Sequence, residues 1–159
     1  MSSPDLYRFV HAQAGGEYET ALAEMKAGRK HSHWIWYVFP QIAGLGMSSM
    51  SQTYAIRDRE EAVAYLQHPL LSARLLEITR AAAGHLKQGA ALDRLMGSPI
   101  DAAKLVSSMT LFHDIARGLP AGASSADTEA LANDAATILA AGEAQGYPPC
   151  RHTRSRLGT

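Results

Sequence analysis

Helix start and stop signals recur along this sequence at spacings that leave little room for strands. Alanine, the best helix former, accounts for 28 of the 159 residues. β-branched residues are sparse and scattered, and apolar residues do not alternate with polar ones at the period of two that a half-buried strand needs. Apolar residues instead recur at helical spacing, preceded by capping residues or prolines and followed by glycines. We therefore predict an all-α fold.

The chain length fits a single compact domain, which we expect to contain about six to eight helices. A chain of 159 residues can bury about 70% of its extended surface, so it needs no disulfide or metal to fold. Residues 1–146 contain no repeat and no long linker, and we predict that they form one helical domain. Residues 147–159 contain three arginines and no acid, which is typical of a flexible basic tail.

Composition excludes several classes of protein. Fifteen basic residues balance fifteen acidic ones, whereas nucleic-acid binders usually carry a basic excess. The single cysteine, Cys150, rules out an internal disulfide and a cysteine-rich zinc site. No apolar run approaches the roughly 20 residues of a membrane-spanning helix, and residues 1–8 do not resemble a signal peptide. We expect a cytoplasmic protein without nucleic-acid or membrane partners, and the sequence leaves its oligomeric state open.

The segment from Gly28 to Gln41 holds both tryptophans of the chain together with several polar residues. We predict a helix over residues 33–39, although this composition also suits a buried strand, because the chain supplies no sheet for a strand to join. The segment is either a pocket wall that stacks a flat ligand or a central helix whose aromatic side chains fill the core. Its candidate ligand-binding residues are Lys30, Ser32, Trp34, Trp36 and Gln41.

His33, within the same segment, is the candidate general acid or base, since histidine is the side chain most often used for proton transfer. A second polar cluster lies on a helix predicted from Ser98 to about residue 117. Hydroxyl residues in mid-helix compete for backbone carbonyls, and such local conflicts occur at functional or closely packed sites. From this cluster we take Asp101 as the second catalytic candidate. Its candidate ligand-binding residues are Lys104, Ser107, Ser108 and Thr110.

His113 and Asp114 form an adjacent pair in an all-helical chain, as in the HD-type metal phosphohydrolases. A metal site of that type would need His85 and either Asp127 or Asp134 to converge on the pair, because mixed His and carboxylate ligands suit a transition metal. An exposed histidine beside an acid is the simpler interpretation. We therefore assign no residue as a metal ligand and predict no cofactor.

The run Gly-Arg-Lys-x-Ser-His-Trp-x-Trp-Tyr-x-Phe-Pro-Gln at residues 28–41 resembles an uncharacterised bacterial family, domain of unknown function 1810. The resemblance covers roughly residues 5–112 and includes Asp101, Lys104-Leu105 and the run from Ser107 to Phe112. It implies a small all-helical cytoplasmic domain and no established activity. Some members are labelled calpastatin, but no part of this chain looks like a disordered protease inhibitor. The pair at residues 113–114 falls outside the family pattern.

Three hypotheses of function follow. The first is a small-molecule-binding domain, or an enzyme, for a nucleotide-like or other ligand that combines an aromatic ring with an anion. In it both polar clusters line one pocket walled by Trp34 and Trp36, and Lys30 and Lys104 hold the anion. The second is a non-catalytic interaction or scaffold domain, in which the same residues form a buried polar network. The third is the HD-type phosphohydrolase.

Overall fold

A computed structural model describes residues 5–159, and over this range the chain forms ten α-helices. The helices are α1 Tyr7–Gln13, α2 Glu17–Ala27, α3 Ile35–Val38, α4 Ser49–Thr53, α5 Arg59–Gln67, α6 Pro69–Lys87, α7 Leu92–Met96, α8 Pro99–Arg117, α9 Ala126–Ala144 and α10 Arg151–Leu157. The all-α prediction is confirmed, and extended pairing within residues 5–159 is limited to a parallel bridge between Ile42 and Ile56. The expected six to eight helices were too few, and three of the ten, α3, α4 and α7, are single turns of four or five residues.

Side chains cap the first turns of helices α5, α6, α8 and α9. In each case a side-chain atom of the residue before the helix accepts the backbone N–H of the third helical residue. The capping residues are Asp58, His68, Ser98 and Ser125. Prolines at the first position of α6 and α8 reinforce these starts, since they lack an N–H that would need a partner.

The core lies between the three 19-residue helices α6, α8 and α9 and the aromatic segment around α3. Helix α9 packs against both α6 and α8, while α5 and α7 flank α8. The ring of Tyr65 lies between those of Phe9 and Phe112, with both centroid distances at 5.2 Å. Trp34 is 0% exposed and lies 6.1 Å from Phe39 between ring centroids. The aromatic segment therefore helps to build the core.

Residues 147–159, which the sequence suggested to be a flexible tail, include the packed helix α10. Thr153 and Leu157 are buried, and the Arg154 guanidinium lies 3.0 Å from the Asp114 carboxylate of α8. Periodicity does not reveal this helix, because only two of its seven residues are buried and the rest are mostly polar. Arg156 donates to the Arg57 carbonyl at 3.4 Å, and Arg59 of α5 in turn donates to the Leu157 carbonyl at 2.6 Å, so α10 is bonded to the folded domain.

Candidate functional site

The carboxylate of Glu24, on α2, accepts four hydrogen bonds from the loop that leads into α3. Its donors are the backbone N–H groups of His31 and Ser32 at 2.7 and 2.9 Å, the Ser32 hydroxyl at 2.5 Å and the Trp34 indole N–H at 2.9 Å. Burial acts to raise the pKa of Glu24, but these hydrogen bonds outweigh it and lower the pKa to about 2. The carboxylate is therefore ionised at neutral pH and fixes the loop on α2.

Lys30 forms a largely buried ion pair with Asp101 in the first turn of α8. The Lys30 ammonium lies 2.8 Å from the Asp101 carboxylate, and the two side chains are 5% and 19% exposed. The same ammonium donates to the Ser32 carbonyl and lies 5.0 Å from the centroid of the Trp34 ring. Together with Glu24, these residues form a closed set of contacts that we call the Glu24 network: Glu24, Lys30, Ser32, Trp34 and Asp101.

Gly97 allows helix α7 to end directly against this network. Its φ of +84° is left-handed, and a Cβ at this position would lie 2.9 Å from the Lys30 carbonyl oxygen. The neighbouring backbone N–H of Lys30 donates to the Leu95 carbonyl at 2.8 Å. Any other residue at position 97 would be strained and would push the loop off α7.

Trp36 and Lys104 form a second group, one turn further along α8 than Asp101. The Lys104 ammonium lies 5.2 Å from the centroid of the half-buried Trp36 ring. Over residues 5–159, no acidic side chain forms an ion pair with Lys104. The Trp36 indole nitrogen and the Ser108 hydroxyl are buried without a hydrogen-bond partner among the described residues, although such groups in proteins are nearly always bonded.

Ser107 lies on the same part of α8 and faces the free cysteine. Its hydroxyl donates to the Ala103 carbonyl at 3.1 Å and also contacts the Cys150 thiol. Burial acts to raise the pKa of Cys150, but hydrogen bonds from Thr153, Ser107 and the backbone of His152 lower it overall. We call the surface formed by Trp36, Lys104 and Ser107 the Trp36–Lys104 surface, and Ser108, the next residue of α8, is 0% exposed.

The remaining predicted residues lie elsewhere or are already bonded. The Thr110 hydroxyl donates to the Val106 carbonyl at 2.8 Å and accepts the Cys150 N–H at 3.0 Å, which ties the C-terminal segment to α8. Gln41 is half-buried, and its backbone carbonyl takes part in the isolated bridge after α3. His33 is exposed in the loop before α3. Residues from both predicted clusters therefore contact each other along α8, but in two separate groups, the Glu24 network and the Trp36–Lys104 surface.

Glu24 is the residue of this region that sequence reasoning missed. It is one of three acids on α2, and nothing in the local sequence distinguishes it from Glu17 and Glu19. Only the path of the loop after α2 brings the segment 31–34 back to its carboxylate.

The HD-type metal site requires a convergence that the described residues do not provide. His113 and Asp114 do contact each other, with Nδ1 and Oδ1 at 2.9 Å, but the carboxylate also binds Arg154. Burial acts to raise the pKa of Asp114, yet hydrogen bonds from His113 and Arg154 lower it overall. His85 instead contacts the Lys26 carbonyl at 3.1 Å. Between residues 5 and 159, no three His, Cys, Asp or Glu side chains are grouped as a metal site would need.

The fold and these motifs define a small all-helical protein of an uncharacterised family. Residues 3–127 match the model of the family described as "Protein of unknown function (DUF1810)", and the chain belongs to this family. It is similar to the conserved hypothetical protein Rv1873 from Mycobacterium tuberculosis, whose crystal structure shares 41% identity and a TM-score of 0.78, with 98% of each chain covered. Among curated proteins, none matches this chain. None of the helices described for residues 5–159 has the length and apolarity needed to cross a bilayer.

Proposed function

We propose that this protein binds a small ligand that combines a flat ring with an anionic group, at the Trp36–Lys104 surface. The observation that carries the proposal is the contrast between two lysines that each lie over a tryptophan ring. Lys30 has Asp101 at 2.8 Å, whereas Lys104 makes no ion pair with any described acid. The Lys104 charge is thus available to an anion from outside the chain.

The polar atoms around Lys104 favour a ligand group that accepts hydrogen bonds. An ammonium and an indole N–H can only donate, while a serine hydroxyl can do either. The Lys104 ammonium and the Ser107 hydroxyl are the polar groups of this surface that an incoming ligand meets, whereas the Trp36 indole nitrogen and the Ser108 hydroxyl are buried without a described partner. A phosphate or carboxylate group offers several acceptor oxygens and would suit donors of this kind. The half-buried Trp36 ring offers an aromatic surface for the flat part of the ligand.

The scaffold hypothesis is the second candidate, and the Glu24 network favours it. Trp34 is 0% exposed, its indole N–H is bonded to Glu24, and Lys30 is neutralised by Asp101. These contacts support a structural role for Lys30, Ser32, Trp34 and Asp101, which leaves the Trp36–Lys104 surface as the candidate ligand site.

The proposal is tested by titrating the purified protein with three probes while Trp36 emission is followed. Adenosine supplies the ring, inorganic pyrophosphate supplies the anion, and ADP supplies both. We expect ADP to bind more tightly than either part alone, and Lys104→Met to weaken ADP binding at least about tenfold, since a lost charge-assisted contact costs about 1.5–3 kcal/mol.

Lys87→Met is the matched control, because Lys87 is an exposed lysine at the end of α6. Native mass spectrometry of the freshly purified protein adds a test that needs no chosen ligand. The proposal fails if none of the three probes binds and the protein carries no small molecule. It also fails if Lys104→Met and Lys87→Met bind ADP equally well, and either result would favour the scaffold hypothesis.

A catalytic step by His33 and Asp101 is a further hypothesis, which presupposes that the ligand binds. His33 is exposed and stands in the loop between the two groups, while Asp101 already holds Lys30. If His33 transfers a proton to or from a bound substrate, His33→Ala will keep the ADP affinity and lose turnover. A folded His33→Ala protein that behaves as wild type in every ligand assay removes that role.

A further inference from the structure

A groove along α6 lies between the end of α2 and the start of α9. Its cavity has a volume of about 520 Å³, within the range of small-molecule sites in proteins. Ala73, Leu76 and Ala81 form its floor. Because two of these three residues are alanines, the helix surface is lower here than the side chains on either side. None of the residues predicted to bind the ligand or to act in catalysis lines this groove, and Asp127 is the one lining residue that the HD-type hypothesis had named.

Four charged residues line the groove, and two of them are bonded to residues outside it. The Glu77 carboxylate accepts the Tyr18 hydroxyl, and the Arg80 guanidinium lies 3.1 Å from the carboxylate of Asp134. The other two charged residues, Lys26 on α2 and Asp127 on α9, form no ion pair with any residue between 5 and 159. Lys26 and Asp127 therefore offer one cation and one anion on two different helices, beside the Glu77 carboxylate, which accepts a neutral hydroxyl and forms no ion pair among the described residues.

The backbone on the Lys26 side is held firmly against α6. His85 of α6 contacts the Lys26 carbonyl at 3.1 Å, which occupies one of the free carbonyls at the end of α2. At the neighbouring Gly28, where φ is +88°, a Cβ would approach the His85 ring to 3.2 Å. The Lys26 side chain itself remains exposed at the edge of the groove.

The Asp127 side continues into a second, smaller cavity of about 80 Å³. Asp127 lines both cavities, and the smaller one is also lined by Ser72 and Ser125. The Ser72 hydroxyl donates to the His68 carbonyl at 2.7 Å, so its own lone pairs are free to accept. A carboxylate beside hydroxyl oxygens is suited to an ammonium group, which has three hydrogens to donate.

We propose that this groove binds a small zwitterion with an apolar body between its two charges, of the class of dipeptides. The anionic end of the ligand lies at Lys26, the apolar side chains cover Leu76 and its flanking alanines, and the ammonium end lies at Asp127. This site rests on a different observation from the Trp36–Lys104 surface and stands or falls independently of it.

The test compares two probes of the same shape by amide chemical-shift mapping of the isotopically labelled protein. Leucyl-leucine carries both terminal charges, and N-acetyl-leucyl-leucine N-methylamide carries neither. We expect leucyl-leucine to shift the amides of Ala73, Leu76 and Ala81, and the capped probe to bind at least about tenfold more weakly. Equal binding of the two probes, or shifts spread over other parts of the protein, would overturn the proposal.

Two single variants assign the charges without disturbing the core. Lys26→Met and Asp127→Asn each alter an exposed side chain, and each should weaken leucyl-leucine binding about tenfold. Glu143→Gln is the control, because Glu143 is an exposed acid near the other end of α9. The assignment is wrong if either variant binds leucyl-leucine as the Glu143→Gln protein does.

Discussion

The indole N–H of Trp34 donates to the carboxylate of Glu24 at 2.9 Å, and this contact fixes the aromatic segment of the protein on α2. The tryptophan is fully buried, so its nitrogen has no alternative partner in water. Because the same carboxylate holds the backbone of residues 31 and 32, one side chain determines the course of the loop that enters the core.

Glu24→Gln is expected to lower the free energy of unfolding by about 2 kcal/mol. The amide has one acceptor oxygen in place of two charged ones, and it turns an N–H₂ group toward donors that then lose their acceptor. Urea unfolding followed by circular dichroism measures the change. Glu19→Gln, an exposed acid on the same helix, should change stability by less than about 0.5 kcal/mol. Equal effects of the two variants would contradict the role given to Glu24.

The same network predicts a defined dependence of stability on pH. Glu24 has a pKa of about 2 in the folded protein against an ordinary value of 4.5, so its ionised form stabilises the fold above the ordinary value. That contribution is lost as the pH falls through the interval between the two values. The stability difference between wild type and Glu24→Gln should therefore shrink from neutral pH toward pH of about 2. A difference that stays constant over this interval would contradict the lowered pKa.

Asp101→Ala should destabilise the protein by about 3 kcal/mol, because it leaves the Lys30 ammonium buried without its counter-charge. The double variant Lys30→Met/Asp101→Ala should recover much of that loss, since no unpaired charge remains. The exposed pair of Arg80 and Asp134, with Arg80 at 63% exposure, is the comparison, and Arg80→Ala should cost less than about 1 kcal/mol. A double variant no more stable than Asp101→Ala would argue against this account.

The fluorescence of Trp36 should be quenched by dissolved iodide and acrylamide much more strongly than the fluorescence of Trp34. Trp34 is fully buried, whereas Trp36 is half-buried with the Lys104 ammonium over its ring. We expect Trp36→Phe to remove most of the quenching by iodide. Lys104→Gln should reduce quenching by iodide more than quenching by neutral acrylamide, because the ammonium attracts the anion. Equal reductions for the two quenchers would show that Lys104 does not act on anions through its charge.

Thr110→Val should loosen the C-terminal segment and lower stability by about 1 kcal/mol, the usual contribution of one hydrogen bond. The variant keeps the shape of the side chain and removes the oxygen that accepts the Cys150 N–H. Hydrogen exchange over residues 150–157 should become faster. Thr137→Val is the matched control, since the Thr137 hydroxyl bonds only the carbonyl of Asn133 in its own helix. Faster exchange in both variants alike would contradict a specific tether.

Local signals predicted the helices up to α9 and missed α10. The starts of α6 and α8 could be predicted because a capping side chain and a proline act within one turn. The helix predicted over residues 33–39 is present as the single turn α3, although its aromatic residues suit a strand equally well. Helix α10 was missed because the contacts that hold it, such as that between Arg154 and Asp114, join distant parts of the chain.

The candidate site was predictable by residue type but not by grouping. The sequence singled out Lys30 and Lys104 together, as two cations for one anion. In the structure Asp101 neutralises the first of them, and no described acid pairs with the second. Periodicity places Asp101 and Lys104 on one side of α8, yet it does not specify which of them faces the loop before α3. That choice depends on the path of the backbone between α2 and α3.

The family match ends at residue 127, just inside a helix that covers both α6 and α8. Helix α9 meets its neighbours mainly through alanine and other apolar side chains, and many sequences can supply such a surface. Buried ion pairs and hydrogen bonds, as in the Glu24 network, tolerate far fewer amino-acid replacements. The family pattern therefore covers less of the chain than the folded domain needs, because α9 completes the core. A protein expressed only to the end of the family match would lack most of α9.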